Sequence, residues 1–121
     1  MVKLAEVGII LIYSIPSIEV LMAHITIQSI NLISEQITVL FKQSWFQEDI
    51  ITLRQLLLDK VPNHLIKEIT LGADRENIRF LWLNDEFVLN FDYYSQSCWF
   101  SAQDEISRLT IPPLFDLLTK G

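Results

Sequence analysis

Four segments in which apolar and polar residues alternate, separated by short polar turns, occupy residues 65 to 101. Side chains of a β-strand point alternately to its two faces, so this pattern predicts an antiparallel sheet with one apolar and one polar face. The predicted strands are LIKEITLG, NIRFLWL, EFVLNF and SCWFS. Any fold of this chain has to cover the apolar face of that sheet.

Turn positions determine which residues face one another in such a sheet. We place two-residue turns at residues 84–85 and 95–96 and a longer turn in GADREN. All three turns bring large apolar side chains together on one face, and a slip of one residue in any of them would break that agreement. The predicted pairs are Trp82 with Phe87, Phe80 with Leu89, Ile78 with Phe91, Phe91 with Phe100, Tyr93 with Cys98, Leu71 with Ile78 and Ile69 with Phe80.

The opposite face of the predicted sheet is polar and aromatic. In this register Arg79 lies across from Asn90 and diagonal to Asp92, and Asp92 pairs with Trp99. An arginine, a tyrosine and a tryptophan on an exposed face have the composition of a protein-binding hot spot. A second interpretation is an ordinary ion pair of Arg79 and Asp92, with Trp99 lying over its neighbours or under the N-terminal segment. The candidate protein-binding surface is Arg79, Asn90, Asp92, Tyr94 and Trp99.

Composition excludes several classes of protein. The chain has 121 residues and a net charge of −6, from 15 acidic and 9 basic residues. Its length indicates a single domain, and its negative charge argues against a nucleic-acid partner. The single cysteine, Cys98, excludes an internal disulfide and a multi-cysteine metal site. It fits a reducing, cytoplasmic compartment, and its place on the apolar face indicates a small buried hydrophobe.

Residues 1–32 leave three interpretations open: a first strand added to the sheet, a targeting segment, or an extension upstream of the fold. The apolar run VGIILIY at residues 7–13 is too short to span a membrane, and no small-x-small cleavage pattern follows it. Met22 is an alternative start, and we expect residues 1–21 to be peripheral to the fold. We therefore predict a single α+β domain over residues 33–121.

Two helices complete the predicted domain. ITVLFK, from Ile37, alternates like a strand. A capping box of Ser44 with Gln47 then begins a helix that continues to about Lys60. The tail TIPPLFDLLTKG predicts a second helix, with Thr110 as its cap. The fold class is α+β, with an antiparallel sheet of about five strands and two helices packed on one face. The apolar stripe of the first helix is Phe46, Ile50, Leu53 and Leu57.

Catalytic signatures are weak in this sequence. The histidines are His24 and His64. A triad of Ser95, His64 and Asp92 can be proposed, but any chain of this size that contains a serine and a histidine would allow a similar one. His24, His64 and Cys98 lack the short spacings that place two metal ligands on one element. With so few candidate bases and no glycine-rich phosphate loop, the sequence argues against an enzyme, a metal site and a cofactor.

The loop GADREN contains the remaining candidate residues. Gly72 permits a positive φ angle at the turn, and Asp74 favours a turn through side-chain to backbone hydrogen bonds. Asp74 and Arg75 are interpreted as a solvated turn, with a binding loop as the alternative.

GADR at residues 72–75, the aromatic strands that follow, DYYS at residues 92–95 and Trp99 resemble a small gammaproteobacterial family catalogued only as a domain of unknown function. The resemblance covers about residues 36–118. It implies a bacterial, cytoplasmic setting and no particular activity.

These observations favour a non-catalytic protein-binding or regulatory module that contacts another protein through the exposed sheet face. The alternative is a small-ligand binder or minor enzyme with a cleft between the sheet and the helices. A deep pocket that holds His64 or Cys98 with a polar partner would favour this alternative. A shallow, exposed surface around Trp99 would favour protein binding.

Overall fold

The computed structural model describes residues 25–120, which form one antiparallel sheet of six strands and two α-helices. The strand order across the sheet is β1-β2-β6-β5-β4-β3, so β1 and β3 are its edges. The predictions for Met22, His24 and residues 7–13 lie outside the described residues. The elements are β1 (Ile27–Ile33), β2 (Gln36–Phe41), α1 (Ile50–Leu58), β3 (Leu65–Leu71), β4 (Arg75–Trp82), β5 (Asp85–Asp92), β6 (Ser97–Ala102) and α2 (Ile111–Thr119).

The predicted α+β class is confirmed, and the order of elements from β2 onward is as predicted. The sheet has one strand more than expected, because β1 lies in the segment whose structure the sequence leaves open. The buried Ile25 precedes that strand, so the sheet and its core extend N-terminal to the boundary that we place at residue 33. Among the described helices, none is both long and apolar enough to cross a lipid bilayer.

Both helices pack on one face of the sheet, and a single core lies between the two layers. Alternation along the strands supplies half of this core, because every second residue of β2, β4, β5 and β6 points toward the helices. The buried apolar residues of the strands are Ile37, Val39, Ile78, Phe80, Trp82, Phe87, Leu89, Phe91, Cys98 and Phe100, and those of the helices are Ile50, Leu53, Leu57, Leu58, Ile111, Leu114 and Leu118.

The β4–β5 hairpin has the predicted faces but a different register. Its turn consists of Leu83 and Asn84, whose φ angles of 54° and 67° are both positive. Trp82 therefore pairs with Asp85, where the sequence predicts Phe87. A shift of two residues changes the partners and keeps each side chain on its face, because the strand period is two. The observed apolar pairs are Phe80 with Phe87 and Ile78 with Leu89.

The β5–β6 connection differs in the same way. It is a four-residue loop over residues 93–96, so Asp92 pairs with Ser97 and the predicted pair of Asp92 with Trp99 is wrong. Tyr93, expected on the strand, begins this loop. The Asp92 carboxylate accepts a hydrogen bond from the Ser95 N–H at 3.3 Å, and this bond stabilises the longer turn. The observed pairs are Phe91 with Cys98, Asn90 with Trp99 and Leu89 with Phe100.

β3 is the largest departure from the sequence prediction. Ile69 pairs with Ile78 and Leu71 with Glu76, two residues from the predicted register, and a bulge at Lys67 interrupts the ladder. Ile69 and Leu71 point to the helix side as expected, but all seven residues of the strand are exposed. The predicted burial of Ile69 and Leu71 is therefore wrong, because β3 is an edge strand that the helices do not cover.

The beginning of α1 also differs from the prediction. Ser44 forms no capping box with Gln47. The carboxylate of Asp49 instead accepts a hydrogen bond from the Phe46 N–H at 2.8 Å. Trp45 enters the core and is 2% exposed, whereas Phe46, predicted on the buried stripe, is 60% exposed. The chain is extended at Phe46, and Trp45 before it lies in the core. The helix therefore begins later than predicted.

Asp85, which we place in a turn, joins the C-terminal segment to the sheet. Its carboxylate accepts hydrogen bonds from the hydroxyls of Thr110 and Ser107. The Ser107 hydroxyl also accepts a hydrogen bond from the Glu86 N–H at 3.0 Å. Thr110 directly precedes α2 as predicted, but its hydroxyl contacts Asp85 and does not cap the helix.

Candidate functional site

The sheet face that points away from α1 and α2, hereafter the outer face, carries four of the five side chains predicted to bind a partner, and the fifth, Tyr94, lies in a loop. Trp99 lies near the middle of this face, where it pairs with Asn90 on β5 and with Thr38 on β2. It is partly buried by these neighbours. A groove of about 390 Å³ runs beside it, lined by Gln36, Thr38, Leu40, Ser95, Gln96, Ser97, Cys98 and Trp99.

Asn90 supports this face and has little free hydrogen-bonding capacity. Its Oδ1 accepts a hydrogen bond from Asn77 Nδ2 at 2.6 Å. Its Nδ2 lies 3.2 Å from the carbonyl oxygens of Val88 and Trp99 and 3.3 Å from Ser101 Oγ. Because Asn90 is also buried, its amide stabilises the backbone beneath Trp99, and we do not expect it to contact a partner.

Arg79 is held by two carboxylates on its own face. Its guanidinium contacts Glu68 and Glu86, each at 3.1 Å. Hydrogen bonds to Glu68 and Glu86 raise the pKa of Arg79 above its usual value. The prediction that Arg79 lies across from Asn90, with Asp92 as a possible ion-pair partner, is wrong, because the two-residue shift of the hairpin places Arg79 opposite Val88.

Asp92 and Arg75 form a separate ion pair at 3.2 Å, at the end of the outer face near the loop before β4. This pair brings a residue of the predicted surface together with one of the predicted loop. The Asp74 carbonyl accepts a hydrogen bond from the Tyr93 N–H at 2.8 Å, which joins that loop to the β5–β6 loop. The turn adopts no left-handed conformation at Gly72, so the positive φ angle that glycine permits is not used there.

Tyr94 lies in the β5–β6 loop and is 82% exposed. Its ring packs beside that of Tyr93, with centroids 5.9 Å apart, and the Tyr93 ring in turn lies 6.3 Å from that of Trp45. A second groove, of about 350 Å³, follows these rings. It is lined by Ser44, Trp45, Phe46, Tyr93, Tyr94 and Gln96.

Gln96 separates the two grooves and fixes the loop that carries Tyr94. Its Oε1 accepts a hydrogen bond from the Trp45 N–H, and its Nε2 donates to the carbonyls of Trp45 and Tyr93, all at 2.9 Å. Its φ angle of 55° is left-handed. The sequence predicts only that Gln96 lies in a turn, and no local pattern indicates that its side chain contacts a segment 51 residues away.

The residues considered for catalysis do not form a site. Cys98 is buried, and desolvation raises the pKa of its thiol well above the usual value, so the nucleophilic thiolate is disfavoured. His64 Nδ1 lies 2.7 Å from the Val61 carbonyl, and the imidazole packs against Phe80. Within residues 25–120, no hydrogen bond joins His64 to Ser95 or Asp92, and no group of three or more metal-ligating side chains occurs.

A groove between α1 and β3 lies where the sequence predicts a cleft between the sheet and the helices. It has a volume of about 220 Å³, below the roughly 300–1,000 Å³ of typical small-molecule sites. His64 lines it, but the neighbouring Arg54 is engaged with the buried Glu76. Its other lining residues are Ile51, Gln55, Leu58, Asp59 and Ile66.

No family model, curated protein or solved structure matches the chain. The resemblance to the gammaproteobacterial family stays a prediction.

Proposed function

We propose that this chain is a non-catalytic protein-binding module, and that it contacts another protein through the Trp99 surface. This surface consists of Trp99, Thr38 and Leu40 on the outer face, together with Tyr94 in the adjoining loop. The observation that supports the proposal most directly is the placement of an aromatic ring in each of two grooves that meet at Gln96.

The physical character of this surface suits a protein partner. Tryptophan and tyrosine supply large contact areas with few rotatable bonds, and they are enriched at interface hot spots. The loop that carries Tyr94 is fixed by the three Gln96 hydrogen bonds, so binding would cost little additional conformational entropy. Leu40 is exposed beside Trp99, so a partner would find an aliphatic contact there too.

The polar residues of the predicted surface have a different role in this proposal. Arg79 and Asn90 are already satisfied by neighbours within the sheet. Breaking those contacts for a partner would cost free energy, so we assign them to the support of the surface. The reduced, buried Cys98 is consistent with a cytoplasmic setting, and the bacterial setting rests on the resemblance.

Quantitative co-purification from the native host tests the proposal. Tagged wild-type protein is compared with Trp99→Ser, after thermal melting has established that both are folded. The matched control is Leu109→Ser, which also replaces an exposed apolar residue but lies outside the Trp99 surface. We expect one partner to be depleted at least about tenfold with Trp99→Ser, equivalent to about 1.4 kcal/mol, and to be retained with Leu109→Ser.

A partner list that does not differ between wild type and Trp99→Ser would contradict this proposal. So would the equal loss of a partner with Leu109→Ser, because that result would indicate a general effect of surface hydrophobicity.

A further inference from the structure

β3 exposes more apolar surface than an edge strand of a monomer would be expected to expose. Edge strands are usually shielded by charges, bulges or covering elements. Here Leu71 is 71% exposed and Ile69 is 39% exposed, although both point to the helix side of the sheet. Leu65 and Ile66, at the start of the strand, are exposed as well. Ile66, Ile69 and Leu71 form an aliphatic strip on the helix side of this edge, and Leu65 lies opposite Leu81 on the other face.

The backbone of the same segment also has hydrogen-bonding groups at this edge that pair with no other residue in the range 25–120. The Gly72 N–H donates to the Arg75 carbonyl at 2.7 Å, so residues 72 and 75 form a hydrogen-bonded pair. Hydrogen-bonded and non-hydrogen-bonded pairs alternate along an antiparallel ladder. The next pair, Leu71 with Glu76, is therefore non-hydrogen-bonded, and so is Ile69 with Ile78. It follows that the N–H and C=O groups of Ile69 and Leu71 point away from β4.

We propose that β3 pairs with β3 of a second copy of this chain, antiparallel and across a two-fold axis at Thr70. In this register Ile69 forms a hydrogen-bonded pair with Leu71 of the second copy, and symmetry repeats the pair. Each pair exchanges two backbone hydrogen bonds, so all the outward-pointing groups of Ile69 and Leu71 are satisfied. Their side chains also meet on the helix side, where each covers the apolar surface that the other leaves exposed.

A second copy fits this edge because the segment is complementary to itself. A two-fold axis perpendicular to the sheet keeps the helix layers of both copies on the same side, and the resulting isologous contact closes as a dimer. Glu68 would lie opposite Gly72 of the other copy, so no like charges face each other. The neighbouring register, with Ile69 opposite itself, would place Leu71 against Lys67 and is less favourable.

The bulge at Lys67 is compatible with this arrangement. Bulges and lysines protect sheet edges by twisting the strand and ending its pairing. Lys67 lies outside the segment from Ile69 to Leu71, so it limits the contact to a short stretch. This limit favours a closed pair of strands over continued edge-to-edge association.

This interface is separate from the Trp99 surface. β4 and β5 lie between β3 and β6, so the two surfaces are about 14 Å apart at an ordinary strand spacing. A dimer formed through β3 would thus leave Trp99 accessible and would present two copies of the binding surface.

Sedimentation equilibrium of the full chain over a range of concentrations tests the inference. The wild-type protein is expected to approach twice its monomer mass of 14.1 kDa. Leu71→Lys places a lysine in each of the two symmetric pairs and removes their apolar contact, so we expect the dimer dissociation constant to rise at least about tenfold. The control Leu109→Lys replaces an exposed leucine elsewhere and is expected to leave it unchanged.

A charge-pair rescue tests the register itself. The double variant Ile69→Glu, Leu71→Lys places opposite charges across both symmetric pairs and is expected to recover dimerisation relative to Leu71→Lys. A monomeric wild-type protein would overturn the inference, and so would a dimer insensitive to Leu71→Lys or a double variant that fails to recover. Trp99→Ser, which tests the proposed function, should leave the monomer–dimer equilibrium unchanged, so the two proposals can fail independently.

Discussion

Replacing Gln96 by alanine removes the side chain that joins the β5–β6 loop to the segment before α1. Three hydrogen bonds of 2.9 Å are lost, to the N–H and C=O of Trp45 and to the C=O of Tyr93. The left-handed backbone at position 96, with φ of 55°, would still have to be adopted by a residue with a Cβ atom. We therefore expect Gln96→Ala to destabilise both the loop and the protein.

The magnitude follows from the environment of these bonds. A net contribution of about 1 kcal/mol for each hydrogen bond gives about 3 kcal/mol. Water can replace part of this, because the bonds are only partly buried, so we expect a decrease of about 2–3 kcal/mol in the free energy of unfolding. Gln96→Gly loses the same bonds but relieves the left-handed conformation, and it should be about 1 kcal/mol more stable than Gln96→Ala.

Urea denaturation followed by tryptophan fluorescence measures both differences, provided that the m-values of the variants match that of the wild type. A decrease of less than about 0.5 kcal/mol for Gln96→Ala would refute the reasoning, because ordinary surface substitutions fall within that range. Equal stability of the alanine and glycine variants would show that the backbone at position 96 carries no strain.

Four further substitutions test the core and the turns. Trp45→Ala should lower the free energy of unfolding by about 3–5 kcal/mol because Trp45 is buried, whereas Phe46→Ala should change it by less than about 1 kcal/mol in the same urea assay. Leu83→Gly should raise the melting temperature and increase the free energy of unfolding by about 0.5–1 kcal/mol, because glycine tolerates the φ angle of 54° at this position better than leucine. A lower melting temperature would contradict this prediction. Because burial raises the pKa of Cys98, the native state retains at alkaline pH a proton that the unfolded state loses. The free energy of unfolding of the wild type should therefore fall relative to that of Cys98→Ala, by up to about 1.4 kcal/mol per pH unit above the ordinary thiol pKa. If the free energies of unfolding of the two proteins changed in parallel with pH, the raised pKa of Cys98 would be refuted.

The faces of the sheet could be predicted from the sequence, but the registers could not. A strand places alternate residues on one face whatever its partner, so the burial of Phe80, Leu89 and Phe100 follows from alternation alone. The register depends on the turn, and Leu83 gives no sign in the sequence that it adopts a left-handed conformation. Shifts of two residues preserve each face, which is why the predicted apolar face is correct although its pairs are not.

Burial on that face depends on the layer that covers it. The pattern of β3 resembles that of the inner strands, yet Leu71 is exposed because α1 and α2, of nine residues each, leave this edge uncovered. Whether a strand lies at the edge or in the middle of a sheet depends on long-range contacts. The alternation of residues within that strand cannot predict it.

The candidate site was predictable in part. Trp99 and its neighbour Asn90 follow from the alternation of β5 and β6. The sequence predicts Tyr94 on a strand, and its position in a loop depends on the four-residue turn. The role of Gln96 depends on contacts between distant segments, which only the folded chain reveals.

Site-specific photo-crosslinking in the native host tests the central proposal, binding through the Trp99 surface, most directly. A benzophenone amino acid is introduced at Leu40, an exposed residue beside Trp99, and in a control protein at Leu109. We expect one protein to crosslink from position 40, to be lost when Trp99→Ser is added, and to be absent from the control. The proposal would be contradicted if position 40 gave no crosslinked protein, or the same set of proteins as position 109.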